Sequence, residues 1–310
     1  MTVVSLFPSA TELAAALGAT PAAVSHQCDH PPPVEDRPTL TGLVRDLDAD
    51  PADLARIAAH DDTYSLDGDR LAAADPDVIL TQGVCAVCAL DEELAHRAVE
   101  RLDLDAAVLD VHAADLDDVL ANVERVGEAV GRSTAATALL DDLDARIDAV
   151  ADAVPSDETT ASAGATPSTG SRPRVAVLDW TAPLRHAGLW VPDLIRIAGG
   201  KPGLVAAGER SRKIDLDELR AFDPEVVVVG PCSADVDEAE RAAADLLDRE
   251  PLADVAAMRD GRVYAMDGTA YLNRHSHRVV DTLEALAAVI RPDRFGEPDE
   301  KVRRVDPAAT

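Results

Sequence analysis

Short apolar runs in this chain alternate with stretches in which apolar residues recur at every third or fourth position. The runs predict strands, and the periodic stretches predict helices between them. The predicted strands are residues 2–6, 77–81, 106–111, 175–178 and 226–229, and the predicted helices are 12–17, 91–102, 192–198 and 216–221, with a further helix ending near residue 74. Ser9, three residues before Glu12, is the predicted N-cap of the first helix. Strands that alternate with helices predict a parallel sheet and hence an α/β fold.

One helix-turn-strand unit occurs twice, 148 positions apart, as DRLAAADPDVIL and DELRAFDPEVVV. This repeat predicts two similar α/β lobes with parallel sheets. Residues 133–154 predict one helix of 22 residues, about 33 Å long, and the Ser/Thr/Gly/Pro-rich stretch after it predicts a flexible insertion. The predicted domains are an N-terminal lobe (1–114), a helical segment that contains this long helix (115–154), the insertion (155–174) and a C-terminal lobe (175–310).

The composition is strongly acidic, with 58 Asp and Glu against 29 Lys and Arg and a formal net charge of −29. Lysine occurs only at Lys201, Lys213 and Lys301, and the chain has no basic run. Because nucleic acids and anionic membranes are bound by clustered Lys and Arg, this charge excludes both as partners. Such a surface is typical of a halophilic protein, since salt screens the repulsion between like charges.

The N-terminal residues lead directly into a predicted strand, without the basic and apolar regions of a signal peptide. No stretch approaches the roughly 18 consecutive apolar residues that a membrane span needs. We therefore expect a cytoplasmic protein, or an extracytoplasmic one at the cell surface if translation starts farther upstream. In the cytoplasm the four cysteines are expected to stay reduced.

Candidate ligand contacts follow from the expected topology. In open α/β sheets, ligands bind beyond the carboxyl ends of the parallel strands, and in a two-lobed protein these ends can face each other across a cleft. Both tryptophans and all four cysteines belong to segments in such positions. The predicted ligand-binding residues are Phe7, Pro8, Ser9, His26, Cys28, Gly83, Cys85, Cys88, Trp180, Trp190, Cys232, Tyr271 and Asn273.

Cys85 and Cys88 form a Cys-x-x-Cys pair, for which three interpretations stay open. As ligands of zinc or cobalt the pair needs two more donors. Chemically suitable donors are Cys28, Cys232, His26, His30, His275 and His277. As a redox pair, the cysteines would have a thiol pKa lowered by the helix that follows them. As small apolar side chains they would pack or line the cleft.

Five segments together resemble the cobalamin-binding members of the iron-siderophore and vitamin B12 substrate-binding proteins of ABC importers. They are residues 3–13 (VVSLFPSATEL), 24–32 (VSHQCDHPP), 75–89 (DPDVILTQGVCAVCA), 190–200 (WVPDLIRIAGG) and 259–268 (RDGRVYAMDG). The resemblance covers the chain apart from the insertion and the tail after about residue 291. It implies two α/β lobes joined by one backbone helix, with a ligand held between the lobes.

The resemblance also implies particular contacts. Trp180, Trp190 and Tyr271 would pack on a corrinoid ring and its side chains, and one of the candidate histidines could coordinate cobalt. In exported relatives a glutamate on each lobe meets arginines of an ABC permease, and Glu92 and Glu218 lie in comparable helices here. The chain resembles a branch without a signal peptide, so a permease is an open partner.

The leading hypothesis is a monomeric, non-enzymatic protein that binds cobalamin or a corrinoid precursor. A large, nearly uncharged ligand rich in amides needs aromatic surface and polar groups, which the predicted site has. A ferric siderophore or heme is the alternative, and anionic siderophores would need convergent arginines, for which Arg185, Arg210, Arg212 and Arg274 are candidates. A metal-handling or thiol redox protein based on Cys85 and Cys88 is the other alternative.

Overall fold

The computed structural model describes residues 1–46, 57–60, 63–83, 92–154 and 172–305. Cys85 and Cys88 lie outside the described residues, as does most of the predicted insertion. The chain divides into two compact units. Unit 1 comprises Met1–Ala113 and Asp117–Asp142, and unit 2 comprises Ala114–Leu116 and Leu143–Thr310.

The described strands and helices alternate along the chain. The strands are β1 (Val3–Ser5), β2 (Ala23–Val24), β3 (Thr41–Leu43), β4 (Ile57–His60), β5 (Tyr64–Asp67), β6 (Val78–Thr81), β7 (Ala107–Asp110), β8 (Val175–Thr181), β9 (Leu184–His186), β10 (Arg212–Lys213), β11 (Val226–Val229), β12 (Val263–Met266) and β13 (Val302–Arg304). The helices are α1 (Pro8–Ala16), α2 (Gly68–Ala74), α3 (Glu92–Leu102), α4 (Leu116–Ala129), α5 (Ser133–Ala153), α6 (Val191–Ile197), α7 (Leu216–Phe222), α8 (Val236–Leu247), α9 (Ala256–Arg259), α10 (Val279–Ile290) and α11 (Pro292–Phe295).

Unit 1 contains a parallel sheet in the order β2-β1-β6-β7. In register, Val4 lies between Ala23 and Ile79, and all three side chains belong to the core of the unit. Short apolar strands buried on both faces are typical of parallel sheets covered by helices. The prediction of a parallel α/β fold is therefore confirmed.

A small antiparallel sheet, in the order β3-β5-β4, was not expected from the sequence. Its central strand β5 places Tyr64 and Leu66 in the core of unit 1. The helix that was expected to end near Ala74 is present, but it is the short α2 that begins at Gly68. Pairing of β5 with strands on either side takes up the residues before Gly68, which a longer helix would have needed.

Unit 2 contains a six-stranded sheet in the order β10-β9-β8-β11-β12-β13. The three inner strands β8, β11 and β12 are parallel, and the other strands pair antiparallel. The two Asp-Pro turns of the sequence repeat have the same backbone conformation, because Asp75 and Asp223 both end a helix in the left-handed region, at φ 45° and φ 48°. Asp tolerates this region better than most residues, and the following Pro cannot continue the helix.

Helix α5 is 21 residues long and begins at Ser133. Its first half, to Asp142, belongs to unit 1, and its second half, from Leu143, belongs to unit 2. None of the described helices combines the length and the apolar character of a membrane span.

Arg146 of α5 connects this helix to α10 within unit 2. Its guanidinium donates hydrogen bonds to Glu284 at 2.9 and 2.7 Å and to Asp281 at 2.6 Å. The hydrogen bond to Glu284 raises the pKa of Arg146 above its ordinary value, burial opposes this, and the hydrogen bond to Asp281 adds to it. The guanidinium is therefore positively charged at neutral pH and can pair with both carboxylates.

We predict that Arg146→Ala lowers the free energy of unfolding by about 1 kcal/mol, because the two carboxylates lose a shared, half-buried partner. Chemical denaturation in low salt measures this loss. As a matched control, Arg97→Ala removes an exposed pair with Glu93 and should cost no more than about 0.5 kcal/mol. Equal losses from the two variants would show that the contacts of Arg146 with Asp281 and Glu284 stabilise the fold no more than an exposed ion pair does.

His186 is a fully buried histidine whose protonation can be tested. Its Nδ1 donates to the Ala187 carbonyl at 2.7 Å, and its Nε2 accepts from the Val177 N–H at 3.4 Å. Burial lowers the pKa of His186 to about 4, against a partial opposing effect of the bond to Ala187. The imidazole is therefore neutral in the folded protein over a range in which it is protonated in the unfolded chain.

In this range the unfolded chain binds one more proton than the folded protein, at His186. We therefore predict that His186 lowers the free energy of unfolding as the pH falls from 6.5 to 4, by roughly 3 kcal/mol in total. His186→Gln should lower the free energy of unfolding at pH 7. Between pH 6.5 and 4 its free energy of unfolding should depend less steeply on pH, because the proton taken up by His186 on unfolding is lost. Denaturation at a series of pH values measures the difference. The exposed His96→Gln should keep the wild-type slope, and an unchanged slope in His186→Gln would disprove the assignment.

Candidate ligand-binding surfaces

The loops that follow β1, β2, β6 and β7 lie at one edge of the unit 1 sheet, because all four strands are parallel. We call this edge surface 1 and define it by Phe7, residues 25–28, Gly83 and Asp110. At such an edge the strand backbones end and side chains from separate segments come together. Surface 1 therefore brings together predicted residues that are far apart in the sequence.

His26 has an exposed side chain on surface 1, and its ring is oriented by Thr41. Its backbone N–H donates to Thr41 Oγ1 at 3.1 Å, and its Nδ1 lies 2.7 Å from the same oxygen. Thr41 in turn donates to Ser25 Oγ at 3.2 Å. The ring also lies 5.5 Å from the Tyr64 ring at a tilt of 44°. Fixing one imidazole nitrogen in this way orients the ring, as partners of metal-binding histidines do.

Cys28 is buried, with 8% of its surface exposed. Its Sγ lies 3.0 Å from Thr11 Oγ1, which donates to the Phe7 carbonyl at 3.1 Å. Phe7 and Ser9 are also buried, and Pro8 is half-buried at the first position of α1. These contacts show how the start of α1 packs against the loop after β2.

The predicted N-cap at Ser9 is wrong. Helix α1 begins at Pro8 with Phe7 as its N-cap, and no side chain caps it. Proline suits the first position of a helix, since its fixed φ is helical and its missing N–H would have had no partner within the helix.

Gly83 links the ends of β6 and β7. Its N–H donates to Asp110 Oδ1 at 2.9 Å. An added Cβ would lie 3.5 Å from the same carboxylate, which is an ordinary van der Waals distance. Among the residues that the structure describes, no group of three or more His, Cys, Asp or Glu side chains is arranged to hold a metal ion.

The ends of β8, β11 and β12 form the corresponding edge of unit 2, which we call surface 2. Its segments are Asp179 with Trp180, Pro231 with Cys232, and residues 268–273. The Cys232 N–H donates to the Asp179 carbonyl at 3.2 Å. Asn273 Nδ2 donates to the Gly230 and Gly268 carbonyls at 3.2 and 2.9 Å. These bonds join the three segments into one surface.

The three predicted aromatic contacts of this unit differ in exposure. Trp180 is 42% exposed, and its Nε1 donates to the Ala182 carbonyl at 2.9 Å. Trp190 is only 5% exposed, and its ring lies 5.0 Å from that of His275. The Tyr271 ring lies 4.7 Å from the Arg278 guanidinium and 4.6 Å from the Lys301 ammonium. Trp180 is therefore the aromatic side chain that offers a ring surface to a ligand.

Asp179 is a mostly buried carboxyl on surface 2. Burial raises the pKa of Asp179, while a hydrogen bond from Ser211 and the charge of Arg185 oppose the rise. Arg185 itself donates to Ser211 Oγ at 3.3 Å and to the Ser211 carbonyl at 2.5 Å. Asp179, Arg185 and Ser211 thus form one polar cluster next to Trp180.

The profile of the family described as periplasmic binding protein matches residues 3–270. The chain belongs to the periplasmic binding protein family. Members of this family bind small-molecule ligands and work with ABC permeases, and they are solute-binding proteins rather than enzymes. No curated protein sequence matches this chain significantly.

Solved structures support the same fold for this periplasmic binding protein. A periplasmic heme-binding protein from Pseudomonas aeruginosa is 21% identical with a TM-score of 0.72, over 98% of each chain. The vitamin B12-binding protein BtuF of Vibrio cholerae is 17% identical with a TM-score of 0.66, over 94% of this chain and 96% of its own. The heme-binding protein HutB of Vibrio cholerae is also 17% identical with a TM-score of 0.66, over 94% and 99%. At these identities the likeness shows the fold.

The candidate arginines of the periplasmic binding protein are mostly engaged in internal contacts. Arg212 pairs with Glu218 at 2.9 Å and donates to the Leu204 carbonyl. Arg274 is buried and donates to the Thr269 carbonyl. Arg185 is held on Ser211, whereas Arg210 and Arg212 are both exposed. Three of these four arginines therefore have internal hydrogen-bond partners.

The remaining predicted residues occupy varied places. Glu92 lies 3.4 Å from His96, and Glu218 completes a capping box with Asp215 at the start of α7. Both stay predictions for permease docking. Cys232 is half-buried, as are His30 and His277, whereas His275 is buried.

Sequence reasoning missed the polar partners of both surfaces. Thr41 and Tyr64 belong to the small antiparallel sheet, and Asp179 and Ser211 form their cluster across 32 residues of chain. The alternation of apolar and polar residues at 63–67 is a strand signal that could have located Tyr64. No local pattern marks the pairing of Asp179 with Ser211.

Gly268 allows the loop after β12 to approach the loop after β11. An added Cβ would lie 2.0 Å from the Pro231 carbonyl oxygen, which is a backbone atom. We predict that Gly268→Ala destabilises unit 2 by about 1–3 kcal/mol because the backbone must shift. Thermal and chemical denaturation measure this cost. Gly42→Ala, whose Cβ would meet only Ser65 Oγ at 3.7 Å, is the control, and equal costs would contradict the prediction.

Proposed function

We propose that this periplasmic binding protein binds a corrinoid, cobalamin or a precursor, through surfaces 1 and 2. The observation that carries the proposal is the chemistry of surface 2. It offers an exposed indole, at Trp180, beside carbonyl, amide and hydroxyl groups, while Arg185 and Arg274 are engaged internally. A ligand that is large, nearly uncharged and rich in amides needs this combination, since aromatic faces supply contact area and polar groups supply orientation.

His26 is our candidate ligand for the metal of such a molecule. Its imidazole is exposed on surface 1 and oriented by Thr41 through Nδ1. Neutral imidazole binds cobalt and iron well. This residue would act on a metal that is part of the bound molecule, so it would contribute to ligand affinity rather than to a resident metal site.

Heme is the second candidate ligand, and His26 supports it equally, because an oriented imidazole can also bind heme iron. Two of the similar solved structures are those of heme-binding proteins. Against heme, its propionate carboxylates would favour cationic partners, and three of the four candidate arginines have internal partners. The two ligands therefore differ in the charge that surface 2 has to accept.

The thiol hypothesis stays a prediction, because Cys85 and Cys88 lie outside the described residues. The other two cysteines do not strengthen it, since Cys28 is buried beside Thr11 and Cys232 belongs to surface 2. Replacing Cys85 and Cys88 together by Ser should leave corrinoid affinity nearly unchanged if the proposed function is correct.

The deciding experiment is a titration of the purified protein, in molar KCl, with cyanocobalamin, aquocobalamin, cobinamide and hemin. We expect saturable binding of a corrinoid at one site, measured by the heat of binding and the visible spectrum. Tighter binding of hemin than of any corrinoid would favour the alternative. Absence of binding by all four molecules would overturn the proposed function.

Two variants connect the titration to the surfaces. Trp180→Ala should weaken binding by roughly tenfold through loss of aromatic contact, whereas Trp180→Phe should retain most of the affinity. His26→Ala should abolish the spectral change on binding of aquocobalamin if the imidazole replaces its water. If aquocobalamin still shows the wild-type spectral change on binding to His26→Ala, His26 is not the metal ligand. The role of Trp180 would be unaffected by that result.

A further inference from the structure

Unit 2 contains an open cavity of about 830 Å³ away from surface 2. We call it the basic groove, and its lining includes Arg172, Arg196, Lys201, Leu204, Val205 and Glu209. It lies near the start of β8, because Lys201 pairs with Arg174 in a parallel bridge and its N–H donates to the Pro173 carbonyl at 2.8 Å. Surface 2 is formed by the opposite, carboxyl ends of the strands.

Cations outnumber carboxylates by three to one in the lining of the basic groove. Arg172 Nη1 donates to the Arg196 carbonyl at 2.9 Å, which holds the guanidinium at the end of α6. Arg196 Nη1 pairs with Asp193 Oδ1 at 2.5 Å, just outside the lining. Lys201 is exposed, and no ion pair of this lysine occurs within the described ranges. The single lining carboxylate, Glu209, accepts from the Ala206 N–H at 3.1 Å. In a chain with a net charge of −29, this concentration of positive charge is unusual.

Further arginines lie close to the groove. Arg291 Nη2 donates to the carbonyl of Gly199, the neighbour of the lining residue Gly200, at 3.1 Å. Burial lowers the pKa of Arg291, Asp293 opposes the effect, and repulsion from Arg172, Arg262 and Arg294 adds to it. Several positive charges therefore lie close enough together here to repel one another. An anion held in the groove would relieve this repulsion.

We propose that the basic groove binds a small organic anion with two or more negative charges, carried as carboxylates or phosphates. Its size is within the usual range of small-molecule sites. Arg172, Arg196 and Lys201 supply charge-assisted donors for the anionic groups. Pro202, Leu204 and Val205 supply apolar contacts for the organic part. The site shares no residue with surfaces 1 and 2, so it is independent of the proposed ligand site.

Calorimetric titration tests the proposal with citrate, pyrophosphate and ATP as probes, with acetate as a monovalent control. The ionic strength is kept constant, because salt screens such contacts. We expect saturable binding of at least one polyvalent probe, and none of acetate. Tighter binding of pyrophosphate and ATP would assign the site to phosphates, and tighter binding of citrate would assign it to carboxylates. Failure of all three polyvalent probes to saturate would overturn the proposal.

A matched pair of variants locates the binding. Lys201→Met should weaken the best probe by roughly tenfold, because a charge-assisted hydrogen bond is lost. Lys213→Met removes an equally exposed lysine of β10 outside the groove and should change nothing. Equal effects of both variants would show non-specific charge attraction and refute the site. The affinity of Lys201→Met for corrinoids and hemin should match that of the wild type. A lack of anion binding would therefore refute the basic groove alone, and a lack of corrinoid and hemin binding would refute the proposed function alone.

Discussion

Parallel pairing of buried strands is the constraint on which both candidate surfaces depend. In unit 2, Val226, Val227, Val228 and Val229 of β11 are fully buried between β8 and β12. A strand buried in this way has fixed neighbours and a fixed direction, because a slip by one residue would turn every side chain to the other face. The loops after the three strands therefore meet at one edge. Residues as distant in sequence as Asp179 and Asn273 become parts of one surface.

The acidity of the chain has structural uses besides hydration. Asp67, Asp215 and Asp235 cap the N-termini of α2, α7 and α8, and the last two form full capping boxes with glutamates. Carboxylates at these positions satisfy backbone N–H groups and interact favourably with the helix dipole. Part of the large negative charge thus stabilises helices locally, even though the charges repel one another over longer distances.

The α/β class and the repeated Asp-Pro turns could be predicted because they depend on local patterns. Helix periodicity, apolar runs and a Pro after an Asp are readable over a dozen residues, and both turns have the expected form. Burial of individual side chains could not be predicted in this way. Trp190 is covered by His275, 85 positions later, whereas Trp180, only ten positions earlier, is exposed. The small antiparallel sheet was missed because the alternation at residues 63–67 indicates a strand but does not indicate its partners β3 and β4.

The scarcity of lysine gives this protein an experimental advantage. Its three lysines lie in distinct settings: Lys201 in the basic groove, Lys213 on the edge strand β10, and Lys301 over the Tyr271 ring. Amine-reactive dyes would therefore label very few positions besides the N-terminus. Two Lys→Arg replacements would leave one side-chain amine, at which a single fluorophore or cross-linker could be attached without introducing a new cysteine.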